Sequence, residues 1–193
     1  MELELDLDND VVRRLVDENE GLKATLADLQ TRLEELERLA NTDTLLPLPN
    51  RRAFLRELDH VLHRVARHNT PAAVLFIDLN GLKAINDCHG HQAGDAVLLH
   101  VASILKASLS ADDMVARIGG DEFGLILNGL DEPAAMAEAD LLARTVANEP
   151  VDLGRLAVKV SVTAGLAMVR AGDAVETVLA RADAAMYAQR SER

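Results

Sequence analysis

The chain has 193 residues, enough for one ordinary domain plus an extension, and its 49% of apolar residues can form a hydrophobic core. Its net charge of −12 disfavours nonspecific binding to nucleic acid or to an anionic membrane, so no nucleic-acid polymer is expected as a partner. The single cysteine, Cys88, cannot form an internal disulfide and indicates a cytoplasmic location, and no apolar run reaches the roughly 18 residues of a membrane helix.

A heptad pattern runs through the first part of the chain. Intervals of three and four residues alternate without a break along the seam of Val12, Leu15, Asn19, Leu22, Leu26, Leu29, Leu33, Leu36 and Ala40. An amphipathic helix lying on its own domain would also give an apolar stripe, but it would not require the strict 3.5-residue period. The pattern therefore predicts a parallel coiled coil within residues 1–42, and with it a homodimer.

Charged residues beside the seam favour the parallel arrangement. In this register Glu18 meets Lys23 of a second copy, and Arg32 meets Glu37 in the same way. A lone asparagine in the seam, Asn19, is a known device for fixing the register at some cost in stability.

Residues 43–193 alternate helical and strand patterns, which predicts one α+β domain. We expect helices near 50–67, 95–105, 133–148 and 175–190, and strands near 72–77, 114–116, 124–127 and 158–168. After its first helix the order is β-α-β-β-α-β, followed by a last helix, which is the ferredoxin-like split βαβ arrangement. In the antiparallel 4-1-3-2 sheet of that fold, the first strand neighbours the third.

Two glycines and two carboxylates lie between the second and third predicted strands. Gly119-Gly120 between short apolar runs predicts a β-hairpin, with the glycines supplying the positive φ angles of a tight turn. The turn places Asp121 beside Glu122, and adjacent carboxylates repel unless a cation neutralises them. In isolation, a polar surface turn would be the favoured interpretation of these residues. The sheet order favours a metal site, because it brings Asp78, at the end of the first strand, beside Glu122.

The segment that follows Asp78 is suited to phosphate groups. Asn80-Gly81-Leu82-Lys83 opens a helix, where backbone N–H groups are free and the helix dipole is positive. Gly81 permits close approach of a ligand, and Lys83 adds charge. A loop glycine and a surface lysine are the alternative interpretation.

Several segments, in the same order along the chain, resemble the GGDEF family, the diguanylate cyclases. They are Arg117-Ile118-Gly119-Gly120-Asp121-Glu122-Phe123, together with 43–51, 78–83, 86–95 and 182–187. The resemblance covers roughly residues 43–190 and implies the palm-like sheet of nucleotide cyclases. One departure is Leu46-Pro47, which stands where the family has Thr-Gly in a motif thought to couple the input helix to the catalytic domain.

The resemblance implies how metal and catalytic groups are shared among the residues. Asp78, Glu122 and the main-chain carbonyl of Leu79 are expected to hold Mg²⁺, with Mn²⁺ able to replace it. Asp121 matches the position that helps to deprotonate the attacking 3′-hydroxyl, and Lys83 is expected to act with these acids.

The resemblance also implies the residues that bind GTP. The groups expected at its phosphates are Gly81, Leu82, Lys83 and Arg190. Guanine presents two adjacent donors that one carboxylate can accept together. Asp95 is expected to read them with Asn86 as its partner, and His91 is a further expected lining residue. A plain N-cap role in the following helix is the alternative for Asp95.

The predicted activity is that of a diguanylate cyclase, which converts two GTP into cyclic di-GMP and two pyrophosphates. The 3′-hydroxyl of each GTP attacks the α-phosphate of the other, so two domains must face each other, and the coiled coil would hold them together. The alternatives are a catalytically silent GGDEF module that binds nucleotide or a protein partner, and a coiled-coil scaffold. Family members often bind dimeric product at an Arg-x-x-Asp pair, but here Ser110 precedes Asp113, so we expect little product inhibition.

Overall fold

The computed structural model describes residues 2–154 and 156–191, with side chains described from residue 14 onward except at positions 16, 17, 38, 155 and 191. The chain divides into two compact units, Met1–Ala40 and Asn41–Arg193. The elements in chain order are α1 Glu2–Asn41, α2 Arg51–His68, β1 Ala72–Asn80, α3 Leu82–His89, α4 His91–Ser108, β2 Met114–Arg117, β3 Glu122–Asn128, α5 Glu132–Asn148, β4 Val151–Asp152, β5 Ala157–Val158, β6 Ser161–Met168 and α6 Val175–Ser191.

The first unit is the long helix α1, as the heptad pattern predicted. The side chain of Val12 lies outside the described residues. The seam leucines from Leu15 to Leu36 are 58–65% exposed. So large an exposed apolar stripe is typical of a surface that another chain covers, and the parallel dimer stays a prediction.

A tight connection follows α1 and contains Leu46-Pro47, the pair that stands where the resembled family has Thr-Gly. The carboxylate of Asp43 accepts hydrogen bonds from the N–H groups of Leu45 and Leu46 at 3.0 and 2.8 Å. Leu46 and Leu48 are both buried in the core beneath the sheet. The apolar residue at position 46 is thus accommodated by burial of its side chain.

The second unit is built on a four-stranded antiparallel sheet with the order β2-β3-β1-β6. Counting β6 as the fourth strand of the motif, this is the predicted 4-1-3-2 order, and the predicted ferredoxin-like, palm-like fold is confirmed. Residues such as Leu75, Val101 and Leu142 fill the core between the sheet and helices α3 to α5. Phe54 and Val178 belong to the core on the opposite face, under α2 and α6.

Close contact between α6 and the sheet depends on Gly165 in β6. A Cβ at this position would overlap the backbone of Ala182 and Met186 in α6. The helix that carries Asp183 and Arg190 therefore lies directly on the strand beside β1, near the end of the sheet where Asp78 is found.

The structure differs from the predicted elements in three respects. Helix α4 begins at His91, because Gly90 with φ +83° ends α3 and starts α4, so Asp95 lies inside the helix and is not its N-cap. The strand expected from residue 158 begins at Ser161, and the short pair β4–β5 was not predicted.

Among the helices of the described residues, none is both long and apolar enough to span a membrane.

Candidate active site

Two carboxylates meet at the ends of neighbouring strands. Asp78 in β1 pairs directly with Glu122, the first residue of β3, so both side chains leave the same face of the sheet. Asp78 is only 3% exposed, whereas Glu122 and Asp121, which immediately precedes β3, are both half-buried. The expected juxtaposition of Asp78 and Glu122 is confirmed, whereas their roles stay predictions.

The turn that carries Asp121 is held by backbone groups and by Arg117. The guanidinium of Arg117 donates to the carbonyl of Gly119 at 3.1 Å and to that of Gly120 at 2.7 Å. The N–H of Leu79 donates to the carbonyl of Asp121 at 3.0 Å, which ties the turn to β1.

The two glycines of the turn serve a purpose other than the one expected. Neither Gly119 nor Gly120 adopts the left-handed φ that the hairpin pattern predicted. Instead, a Cβ on Gly119 would overlap the carboxylate of Glu122. Gly119 therefore leaves space for the Glu122 side chain in the position that it occupies here.

Burial and mutual repulsion disfavour the ionised forms of Asp78 and Glu122. Burial raises the pKa of Asp78, and Asp121 raises it further, while Arg190 acts in the opposite direction. Burial also raises the pKa of Glu122, together with the charges of Asp78, Asp121 and Asp183, against a lowering by Arg51. A cation bound among these groups would stabilise their ionised forms.

The donor set at this point fits a hard divalent cation. Oδ2 of Asp78 is buried and accepts no hydrogen bond from the described residues, and the carboxylate of Glu122 lies on the same face. Within residues 2–154 and 156–191 no three His, Cys, Asp or Glu side chains converge on one point, so the backbone carbonyl of Leu79 and water would have to complete the shell. Mg²⁺ commonly binds through one or two carboxylates and keeps several waters, so the residues present suit it.

The segment that is expected to bind phosphates lies at the start of α3, and its role stays a prediction. Gly81 is the N-cap residue with φ +79°, and apart from its chain neighbours no atom of the described residues lies within 4 Å of where its Cβ would be. Leu82 is buried and anchors the first turn, whereas Lys83 is exposed. The open backbone above Gly81 thus adjoins an exposed cation, which is what an anion requires.

The residues expected at guanine lie on the paired helices α3 and α4. Oδ1 of Asn86 is buried without a hydrogen-bond partner among the described residues, and a Cβ on Gly94 would overlap it. Asp95 follows Gly94 and is exposed, as is His91 at the start of α4. The absence of a side chain at Gly94 therefore lets the Asn86 amide pack against α4, next to the residue that precedes Asp95.

Arg190 makes a contact that the sequence did not predict. Its Nη1 lies 3.2 Å from Oδ2 of Asp78. The expected role of Arg190 at the phosphates stays a prediction.

Sequence reasoning also assigned no role to Arg51 and Asp183. Both line a cavity of about 250 Å³ beside Glu122, together with Phe76, Ile118, Leu179, Ala180 and Met186. Asp183 lies in the segment 182–187, and Arg51 lies in the segment 43–51 as the first residue of α2. Both segments resemble the family, so the sequence already pointed to these two residues.

The fold and the comparisons together identify the class and the family. The antiparallel sheet and flanking helices are those of palm-like nucleotide cyclases, and residues 40–193 match the family model for the diguanylate cyclase, GGDEF domain. The chain belongs to the GGDEF family.

Its relatives include signalling proteins of Pseudomonas aeruginosa. The bifunctional diguanylate cyclase/cyclic di-GMP phosphodiesterase MucR is 37% identical over 154 residues, which are 79% of this chain and 22% of the relative. The diguanylate cyclase TpbB is 38% identical over 176 residues, which are 90% of this chain and 40% of the relative. The chain thus spans less than half the length of these relatives.

A solved structure resembles nearly the whole chain. It contains the coiled coil and GGDEF domain of DgcB from Caulobacter crescentus in complex with c-di-GMP. The match covers 94% of the present chain and 95% of the DgcB chain, with 29% identity and a TM-score of 0.82.

Proposed function

We propose that this protein is a diguanylate cyclase that condenses two GTP into cyclic di-GMP and releases two pyrophosphates. The observation that carries the proposal is the pairing of Asp78 with Glu122 at adjacent strand ends, next to the open phosphate loop at Gly81. Membership of the GGDEF family supports it, as do relatives that are named diguanylate cyclases. We further propose that the enzyme acts in the cytoplasm.

The chemistry is a nucleotidyl transfer carried out twice. In each transfer the 3′-oxygen of one GTP forms a bond to the α-phosphorus of the other, and the bond from that phosphorus to the bridging oxygen breaks. Pyrophosphate leaves with the bond's electron pair. Asp121, half-buried in the turn before β3, would accept the proton of the 3′-hydroxyl.

A divalent ion, Mg²⁺ or Mn²⁺, would be held by Asp78, Glu122 and the carbonyl of Leu79. When bound, it would neutralise charge on the phosphates. The N–H groups near Gly81 and Leu82 and the ammonium of Lys83 would bind and orient the same phosphates.

Guanine would be read by Asp95 and Asn86, with His91 at the side. A carboxylate accepts the two adjacent donors of guanine, and the unpartnered Oδ1 of Asn86 supplies a further acceptor. An adenine base lacks this donor pair, so the arrangement supports GTP as the substrate.

Two such half-sites must face each other, because each GTP attacks the other. We propose that residues 1–42 form a parallel coiled coil that joins two catalytic domains of residues 43–193. The exposed seam from Leu15 to Leu36 supports this assembly, and the DgcB structure contains a coiled coil beside its GGDEF domain.

The test is turnover of GTP by the purified protein with Mg²⁺, followed by chromatography of the product. Glu122→Gln should abolish formation of cyclic di-GMP, whereas Glu132→Gln, an exposed acid in the first turn of α5, should leave it unchanged. Nucleotide binding without any product from the unmodified protein would instead favour a silent GGDEF module.

A further inference from the structure

The carboxylate expected to hold the metal is already in contact with a cation from the chain itself. Nη1 of Arg190 lies 3.2 Å from Oδ2 of Asp78, whose side chain is 4% exposed. That oxygen accepts no hydrogen bond in the part of the chain that the structure describes. The ion pair with Arg190 is therefore what compensates the buried charge of Asp78.

A divalent ion and this guanidinium would compete for one carboxylate. Mg²⁺ binds carboxylate oxygens at about 2.0–2.1 Å, so it would lie within a few ångströms of Arg190 as the side chain stands. Positive charges this close repel each other, and beside the buried carboxylate of Asp78 water screens the repulsion only in part. Entry of the metal therefore requires Arg190 to leave Asp78.

Arg190 can leave at little cost, because its side chain is largely exposed to solvent. Its side chain is 59% exposed and lies in the last turn of α6. A guanidinium forms paired hydrogen bonds with phosphate oxygens, which arrive with the nucleotide. Release from Asp78 and capture by a triphosphate can thus occur together.

We propose that Arg190 is a built-in substitute for the metal: this arginine holds Asp78 before the metal binds, and it transfers to the nucleotide phosphates when metal and GTP bind. This regulation of the site depends on the proposed function, since it takes GTP as the source of the phosphates. Two consequences follow. The metal ion alone binds weakly, and metal and nucleotide each strengthen binding of the other.

The experiment measures Mn²⁺ binding to the full chain without nucleotide, by the loss of the free-ion signal in electron paramagnetic resonance. Arg190→Gln should bind Mn²⁺ at least about five-fold more tightly than the unmodified protein, the lower end of ordinary coupling. Arg190→Lys, which keeps the positive charge, should stay near the unmodified value. Arg144→Gln removes an exposed charge from α5 and controls for net charge, so it should change nothing.

Asp78→Asn shows where the ion binds, because it should abolish the Mn²⁺ binding that Arg190→Gln strengthens. Equal affinity in the Gln variant and the unmodified protein would overturn the inference, and so would Mn²⁺ binding that survives loss of Asp78. With GTP present, Arg190→Gln should instead bind nucleotide more weakly. These binding results do not depend on turnover: failure to form cyclic di-GMP would contradict the proposed function alone.

Discussion

Arg117 and Asp43 form an ion pair between the connection that follows α1 and the turn that carries Asp121. Nη1 of Arg117 lies 3.2 Å from Oδ1 of Asp43, and both side chains are mostly buried. The same guanidinium holds the carbonyls of Gly119 and Gly120. A change in the connection can thus reach the acidic turn through a single side chain.

The first prediction concerns the stability that Asp43 supplies. Asp43→Ala removes the acceptor for two N–H groups and the partner of Arg117, and should lower the free energy of unfolding by about 1–2 kcal/mol. Asp43→Asn keeps an acceptor oxygen and should cost less. Urea unfolding of the two variants and the unmodified protein at neutral pH checks the order.

The contribution of Asp43 should also depend on pH. Burial alone would raise the pKa of Asp43, but the N–H groups of Leu46 and Leu45 and the charge of Arg117 outweigh it and lower the pKa below 3.8. A lowered pKa means that the stabilisation is present above the ordinary value and is lost as the pH falls through the lowered one. A difference between Asp43→Ala and the unmodified protein that is the same at pH 7 and in strong acid would contradict this.

The second prediction is that Glu122→Gln stabilises the metal-free protein near pH 7.5. The pKa of Glu122 is raised, so its ionisation destabilises the folded state as the pH rises through the raised value. Removing the charge should add about 0.5–1 kcal/mol to the free energy of unfolding in the presence of a chelator. Below pH 4 the carboxyl is protonated in both states, so the gain should vanish. Unfolding curves at the two pH values test this, and a neutral or destabilised variant at pH 7.5 would refute it.

The sequence predicts most of the fold because the apolar periodicity of the long elements is strong. The helices repeat their apolar residues every three or four positions, whereas β1 is a nearly continuous apolar run. The order of the strands then places Asp78 beside Glu122. The pair β4–β5 has only two residues in each strand, which is too short for a periodic signal. The predicted start of α4 is wrong because Gly90 alone, with its positive φ, separates α3 from α4. No loop of several residues marks the boundary in the sequence.

The sequence does not show which distant charges meet. Arg117 reaches Asp43 across 74 positions, and Arg190 reaches Asp78 across more than a hundred, because the packing of the sheet brings them together. Steric roles are equally hidden. Gly119 was interpreted through backbone angles, whereas its lack of a side chain makes room for Glu122.

The third prediction concerns the dimer. Residues 12–40 span about 43 Å at 1.5 Å per residue, and Leu22 and Leu29 lie near the middle of that seam. Changing both to Asp would place like charges against their symmetry mates, so we expect a monomer in light scattering and a large loss of activity at low protein concentration. Ala24→Asp with Thr31→Asp puts the same charges on the outer face and should leave the dimer intact. A fully active dimer of the leucine variant would show that the catalytic domains associate without the coil.

The last prediction concerns product inhibition, and it depends on how Asp113 is engaged. Oδ2 of Asp113 accepts from both the N–H and the hydroxyl of Ser110, and its Oδ1 accepts from the N–H of Asn128 at 2.8 Å. The carboxylate therefore stabilises the start of β2 beside the end of β3, and an anionic product finds no guanidinium at position 110.

Loss of a charge-assisted contact costs about 1.5–3 kcal/mol, which is roughly ten- to a hundred-fold in affinity. We therefore expect weak binding of cyclic di-GMP at this segment in isothermal titration, and tighter binding after Ser110→Arg, because arginine supplies a planar charged fork. Ser110→Gln, which is long and neutral, is the control and should not tighten binding. Tight binding by the unmodified protein that is lost on Asp113→Asn would contradict the prediction, since it would mean that Asp113 binds product without an arginine beside it.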